Sequence, residues 1–251
     1  MSLKARWHKA CAETIGSKLF WRIAVDHLSI ERELVPLIER HAKGRILDAG
    51  AGRLAWRELL ARRSSHYLAT DYVPAHPDLA FTADLQGGIP LRDASVDTIF
   101  CCSVIEHTPE PWRVLPEFRR ILAPGGRVIL SVPFLYYLHD APHDYFRFTR
   151  HGIERLAEAA DLDIVEINVS GGMAHAFGQA FSLVWAGLFW TRKAPWLVTL
   201  PAAAVFSMCR MLDRLDRSGL FAQTVNAVLT PKAPGTARPA MPPATAAERP
   251  A

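Results

Sequence analysis

An α/β fold on a doubly wound, mostly parallel sheet is predicted by three features of this 251-residue chain. Short β-like runs alternate with helical or loop segments, the pattern of strand–helix–strand crossovers. The first run ends in a glycine turn that opens a helical pattern, GRILDAGAGRLAW at 44–56. Half of the residues are hydrophobic and 22% are charged, enough for a substantial core in one such domain.

Residues 1–43 read as an N-terminal helical segment. Leu19, Ile23, Val25 and Leu28 are spaced for one helix face, and SIERELVPLIERH follows with Ser29 as its N-cap. The sheet core occupies 44–172, with strand runs at 45–49, 67–70, 79–84, 98–103, 127–133 and 164–169. In such a sheet ligands lie beyond the carboxyl ends of the strands, so functional residues are expected just after each run. An apolar helical insertion occupies 173–221 and a closing strand 222–231. The Pro/Ala-rich tail at 232–251 is too poor in apolar residues to form a core and reads as disordered.

A net charge of +4 is mildly basic and dispersed, with no run of five or more Lys/Arg, so no nucleic acid partner is expected. An anionic membrane surface suits the same balance. Of the four cysteines, Cys101 and Cys102 are strand neighbours pointing to opposite faces, a poor disulfide. That usage, and an N-terminus without the apolar core of a signal peptide, predict a cytoplasmic protein.

Gly50 and Gly52 allow a sharp turn and close approach of backbone to a ligand, with the following helix, starting near Leu54, aiming its amides at it. Leu54 stands where a third glycine is expected. Asp48 is poorly matched to a pyrophosphate but suits a cationic amino group. Asp71 ends the second run at the distance where an acidic residue bonds ribose hydroxyls. Asp84 is suited to accept from an adenine amino group, and Leu85 to cover the ring. An adenosine without phosphates that carries an amino acid is S-adenosyl-L-methionine (SAM).

LDAGAG, ATD, ADL, SVDTIFCCSVIEHTPEPW, EFRRILAPGGRVILSVPF and HDAPHDYFRFT, taken in this order, resemble the class I, seven-stranded SAM-dependent methyltransferases, and most of all the methyltransferase type 11 group. The resemblance runs from about 44 to 169 and resumes at TVNAVLTPKAP, similar to the family's closing antiparallel strand. It implies a Rossmann-like methyltransferase core at 44–172 with SAM as cofactor. Asp48, Gly50 and Gly52 would then hold the methionine part, Asp71 the ribose, and Asp84 and Leu85 the adenine, with Ser103 near the cofactor. Two other readings stand beside it. An NAD-linked oxidoreductase is disfavoured by the missing third glycine and by the lack of a Tyr-x-x-x-Lys pair, and a catalytically silent SAM-binding adaptor by the complete set of cofactor residues.

Methyl transfer from a sulfonium to an O or N acceptor, rather than to carbon, needs positioning and exclusion of water more than a nucleophilic triad. Catalytic candidates are His107 after the fourth run, and His143, Asp144 and Tyr145 after the fifth; His139 and Arg147 are candidates for lining the substrate. The plain alternatives are a packing His107 and a loop stapled by its own polar pairs, with Arg147 bound to Asp144. HDAPHD also invites a metal reading, but Pro142 spoils a helical ligand pair and no third ligand is evident there, so no metal is expected.

The insertion is strongly apolar between Met173 and Met211, with Arg192 and Lys193 near Trp185, Trp190 and Trp196. Neither apolar stretch is long enough to span a bilayer. The pattern predicts a hairpin lying in a membrane interface on the cytoplasmic side, with a small-molecule or lipid acceptor. Packing on the sheet or a homodimer contact is the competing reading. Beyond it, Met208, Leu212 and Leu215 lie opposite Arg210, Asp213, Arg214 and Arg217, the pattern of a surface helix.

Overall fold

The structure, a computed structural model, describes residues 2–215 and 220–233. Seven strands form one sheet: β1 (Gly44–Ala49), β2 (Ser64–Asp71), β3 (Phe81–Thr82), β4 (Val96–Cys102), β5 (Leu122–Pro133), β6 (Leu162–Ser170) and β7 (Thr224–Pro231). Their order is β3-β2-β1-β4-β5-β7-β6, parallel except for β7, which runs antiparallel to both neighbours. The chain builds outward from β1 to β3 and then returns to place β4 on the other side of β1. Ligand crevices form at such a switch point, outside the carboxyl ends of the strands.

Alternate residues of the central strands feed two cores. Ile46, Phe100, Ile129 and Val228 face helices α2 (Val25–His41) and α3 (Arg57–Arg63), through Leu34, Leu37, Ile38 and Leu60. Leu47, Ile99, Cys101, Val128 and Leu130 face α4 (Pro111–Ile121) and α5 (Arg150–Ala159), through Val114, Leu115, Phe118 and Ile153. The N-terminal helix α1 (Leu3–Thr14) joins a smaller cluster in which Trp7 and Ala10 pack with Ile23, Ala186 and Val198. All four cysteines are free.

Several local expectations change. The helical pattern over 7–40 breaks after α1, where Gly16 turns with φ +82°. Helix α2 starts at Val25, with Ala24 as its extended N-cap, so Ser29 is a buried helix-interior residue and caps nothing. At the true start of the helix, Val25 N–H donates to Ser182 Oγ at 3.1 Å. The third run shrinks to Phe81–Thr82, and the helix after the glycine turn starts at Arg57 rather than near Leu54. Leu54 itself adopts φ +62°, the left-handed conformation that a glycine would take at no steric cost.

The insertion between β6 and β7 is a helical hairpin, α6 (Met173–Phe189) and α7 (Trp196–Leu212). The polarity of α6 is inverted, while α7 buries Val198, Ala202, Phe206 and Cys209. Helix α6 buries His175, Gly178, Gln179, Ser182, Ala186 and Gly187, while Phe177, Phe181, Val184 and Leu188 are exposed, Phe177 by 72%. Two of the three tryptophans point inward: Trp185 Nε1 donates to Leu197 O and Trp190 Nε1 to Glu13 Oε2, both at 2.8 Å. Trp196 is exposed at the tip. The expected surface helix after Met208 is reversed as well. Met208, Leu212 and Leu215 face solvent, while Asp213 turns in to accept from the amides of Ala174 and His175 and to pair with the His175 ring. No helix among the described residues is long and apolar enough to cross a membrane. Arg217 and residues 234–251 of the tail lie outside the described residues.

Candidate active site

The glycine turn after β1 is locked onto β2, because the amides of Gly50 and Ala51 both donate to Thr70 O at 2.9 Å. Gly50 has φ +78°, and a Cβ on it would lie 2.6 Å from Val104 Cγ1 and closer still to Cγ2. Gly52 has φ +53° and faces open space. Its amide donates to Asp71 Oδ2 at 2.8 Å, so the carboxylate that ends β2 fixes the turn after β1.

These residues wall a cleft of about 730 Å³ at the switch point. Asp71, Asp84, Leu85, Ser103, His107, Asp140, His143 and Tyr145 complete most of the lining. Ser103 is held there with φ +54° by its amide bond to Ser131 O at 2.9 Å. Asp84 Oδ1 accepts from Gln86 N at 2.9 Å. The lining contains three aspartates and neither Lys nor Arg among the described residues. That charge pattern disfavours a pyrophosphate and fits a cationic ligand with ribose and adenine groups, as SAM has.

Asp48 is not in the lining. It lies under the turn, 3% exposed, and accepts from Tyr67 Oη at 2.7 Å. Burial pushes its carboxyl up to about 7; the Tyr67 bond opposes this and the Asp71 charge adds to it.

The loop after β5 is pinned to the turn after β4. The amides of Tyr145 and Phe146 donate to Glu106 O at 2.9 and 3.2 Å, and His107 Nδ1 donates to His143 O at 2.7 Å. Asp144 and Arg147 form its internal clamp and do not line the cleft. Arg147 makes a two-pronged bond to Asp144 (2.6 and 2.8 Å) and reaches the carbonyls of Tyr136, Tyr137 and Phe146. That guanidinium holds the Asp144 carboxyl far below its ordinary range. Facing the cleft, His143 Nδ1 bonds Tyr145 Oη at 3.1 Å.

His139 lines a second cavity, about 570 Å³, walled by α1, α6 and the loop through Leu3, Trp7, Leu135, Tyr136, Leu183 and Val184. The His107 and His139 rings stand edge to face, 4.7 Å apart, between this apolar cavity and the acidic cleft. Asp140 lines the cleft from the polar loop after β5, as the loop's position predicts, whereas Tyr67 and Glu106 are participants that the sequence pattern did not reveal. Only Glu106 carried a local signal, standing beside His107 in SVIEHTPEPW.

This sheet order, with an acidic cleft at its switch point, is the class I SAM-methyltransferase fold. Residues 47–130 match the family model described as Methyltransferase domain. A ubiquinone biosynthesis O-methyltransferase of Xylella fastidiosa (strain M23) is 32% identical over 100 residues, 35% of this chain and 41% of the relative. An uncharacterized methyltransferase of Mycobacterium leprae (strain Br4923) is 26% identical over 192 residues, 67% of this chain and 71% of the relative. The chain thus spans about two fifths of the first of these relatives. Among solved structures, an S-adenosylmethionine dependent methyltransferase from Mesorhizobium loti superposes with a TM-score of 0.54 at 14% identity, covering 82% of this chain and 100% of that one. The cyclase SpnF does so with 0.56 at 13% identity, covering 80% and 81%. These likenesses establish the fold.

Proposed function

We propose that the protein transfers a methyl group from SAM to an oxygen or nitrogen of an apolar, lipid-like small molecule, working at a membrane surface on its cytoplasmic side. The observation that supports this reading is the His107–His139 pair, whose rings stand between an acidic cleft suited to the donor and an apolar cavity suited to the acceptor. The relatives named for O-methylation in ubiquinone biosynthesis favour oxygen as the acceptor atom.

In this reading Asp71 binds the ribose hydroxyls, Asp84 the adenine amino group, Leu85 covers the ring, and Gly50 to Gly52 approach the methionine part. Asp48 acts from beneath, its ionised form opposing the ammonium. Bound there, SAM supplies an electrophilic methyl group on a sulfonium. The chain holds the acceptor in line with that group and keeps water out. Where the acceptor is a hydroxyl, His143 takes its proton in this reading: in the tautomer that donates from Nδ1 to Tyr145, Nε2 carries the free lone pair.

Membrane placement rests on the inverted polarity of α6 and on the large apolar residues that both helices of the hairpin expose. Leu188, Leu200 and Trp196 are exposed near the basic Arg192–Lys193 tip, an arrangement suited to the headgroup boundary. Incubation with methyl-labelled SAM and a fractionated lipid and metabolite extract tests the proposal. Label should enter an apolar fraction; label confined to polar metabolites would refute the acceptor class, and no transfer to any fraction would refute the activity.

A further inference from the structure

Glu106 is fully buried, and neither of its carboxylate oxygens has a hydrogen-bond partner. A buried carboxylate in that state has lost its water and gained nothing in return. Its neighbours explain why the position holds an acid. One oxygen each from Glu106 and one nitrogen each from His107 and His139 lie within 4.8 Å of one another, and His107 Nε2 is 3.8 Å from Glu106 Oε1.

Each of the two imidazoles keeps one ring nitrogen outside its hydrogen bonds. His107 Nδ1 donates to His143 O at 2.7 Å, which leaves the lone pair on Nε2, the nitrogen beside Glu106. His139 Nδ1 faces Tyr137 O and Asp144 Oδ2, each at 3.3 Å, which leaves Nε2 as its unengaged nitrogen. A ligating histidine characteristically gives its other ring N–H to a carbonyl or a carboxylate, fixing tautomer and ring plane. Here one does the first and the other is placed for both. Arg147 in turn holds Asp144, and Glu106 O holds the loop that carries His139.

We propose that Glu106, His107 and His139 bind one divalent first-row transition ion, such as Zn²⁺ or Mn²⁺, through two imidazole nitrogens and one carboxylate. The site reverses the expectation of no metal, which considered residues 139–144 by themselves; the third ligand comes from the turn after β4. Two nitrogens and an oxygen suit zinc, iron, cobalt or manganese better than calcium or magnesium. Three protein ligands leave the ion open positions. Because His107 lines the acidic cleft and His139 the apolar cavity, an acceptor oxygen or a water can complete the shell. Metal binding does not depend on the proposed methyl transfer.

The test is titration of Co²⁺ into the tag-free, chelator-treated full-length protein, followed by visible absorption and calorimetry, with Zn²⁺ as competitor. One Co²⁺ per chain is expected, displaced by Zn²⁺. Glu106→Gln and His139→Ala should each weaken binding by more than about 100-fold, beyond the loss typical of an outer-shell partner. Asp140→Asn, an acid of the cleft outside the cluster, should leave Co²⁺ binding unchanged. S-adenosylhomocysteine binding by Glu106→Gln, measured separately, keeps this inference distinct from the cofactor assignment. Absence of Co²⁺ binding by the wild type, or equal binding by the two ligand variants, overturns the proposal. Should Glu106→Gln not fold, His139→Ala on the loop decides the matter by itself.

Discussion

Alanine at each glycine of the turn should separate the needs of the fold from those of the ligand. Both positions have positive φ, which costs a residue with a Cβ about 1–2 kcal/mol. At Gly50 the new methyl also meets the Val104 side chain at 2.6 Å from Cγ1, and overpacking adds about 1–3 kcal/mol. Gly52→Ala meets nothing within 4 Å. Gly50→Ala is therefore expected to cost about 2–5 kcal/mol, lowering Tm by roughly 5–15 °C for a chain of this size, and Gly52→Ala about 1–2 kcal/mol. Ligand affinity should rank differently. The Gly52 methyl projects into the cleft, so S-adenosylhomocysteine should bind that variant at least about tenfold more weakly, a loss of about 1.4 kcal/mol. Differential scanning fluorimetry and calorimetry give the two readouts. A Gly50→Ala protein melting within about 2 °C of wild type, or a Gly52→Ala protein with undiminished affinity, would refute the geometry of the turn.

His143→Ala and Tyr145→Phe should reduce turnover far more than they reduce SAM affinity. Asp144→Ala should instead lower Tm by releasing the Arg147 clamp, as thermal melts beside turnover assays would show. Stability should fall as pH rises toward neutrality. The folded Asp48 carboxyl, pushed up to about 7 from 3.8, holds its proton more tightly than the unfolded one, so its contribution is complete below 3.8, is lost between 3.8 and 7, and is flat above. Asp48→Asn should lessen the fall of Tm over that window, to which Glu106, pushed up by burial to about 8, also contributes; an unchanged slope would refute the assignment. In liposome flotation the wild type should rise with anionic vesicles, and Leu188→Asp with Leu200→Asp should not, while still binding S-adenosylhomocysteine. A protein that stays in the bottom fraction as a dimer would show the exposed apolar face to be a subunit interface.

The alternation of strands and helices was legible because each strand is a short apolar run bounded by turn residues, and all seven strands appear near their expected places. The cleft was legible because Gly50, Gly52, Asp71 and Asp84 follow strand ends directly, where the sheet topology itself sets position. What local pattern could not supply was direction. Asp48 and Asp71 both end parallel strands, yet one carboxylate is buried under the turn and the other faces the cleft. Arg147 was weighed as a lining residue and as a clamp, and only the fold of the loop decides between them. Helix α6 defeated periodicity because its buried face is made of small and polar residues, the reverse of the usual rule. Glu106 was passed over because its partners His107 and His139 stand on two separate loops, 32 residues apart, and a metal cluster of that kind is assembled only in three dimensions.

The account turns on what the acidic cleft binds, and calorimetric titration of the purified protein with S-adenosylhomocysteine and, in parallel, with NAD tests this most directly. S-adenosylhomocysteine should bind with one site per chain, and Asp71→Ala should weaken it by about 2–3 kcal/mol through loss of the paired ribose hydrogen bonds. NAD should not bind, because the cleft lining contains three aspartates and neither Lys nor Arg among the described residues to meet its pyrophosphate. Tight NAD binding with no heat from S-adenosylhomocysteine would contradict the account.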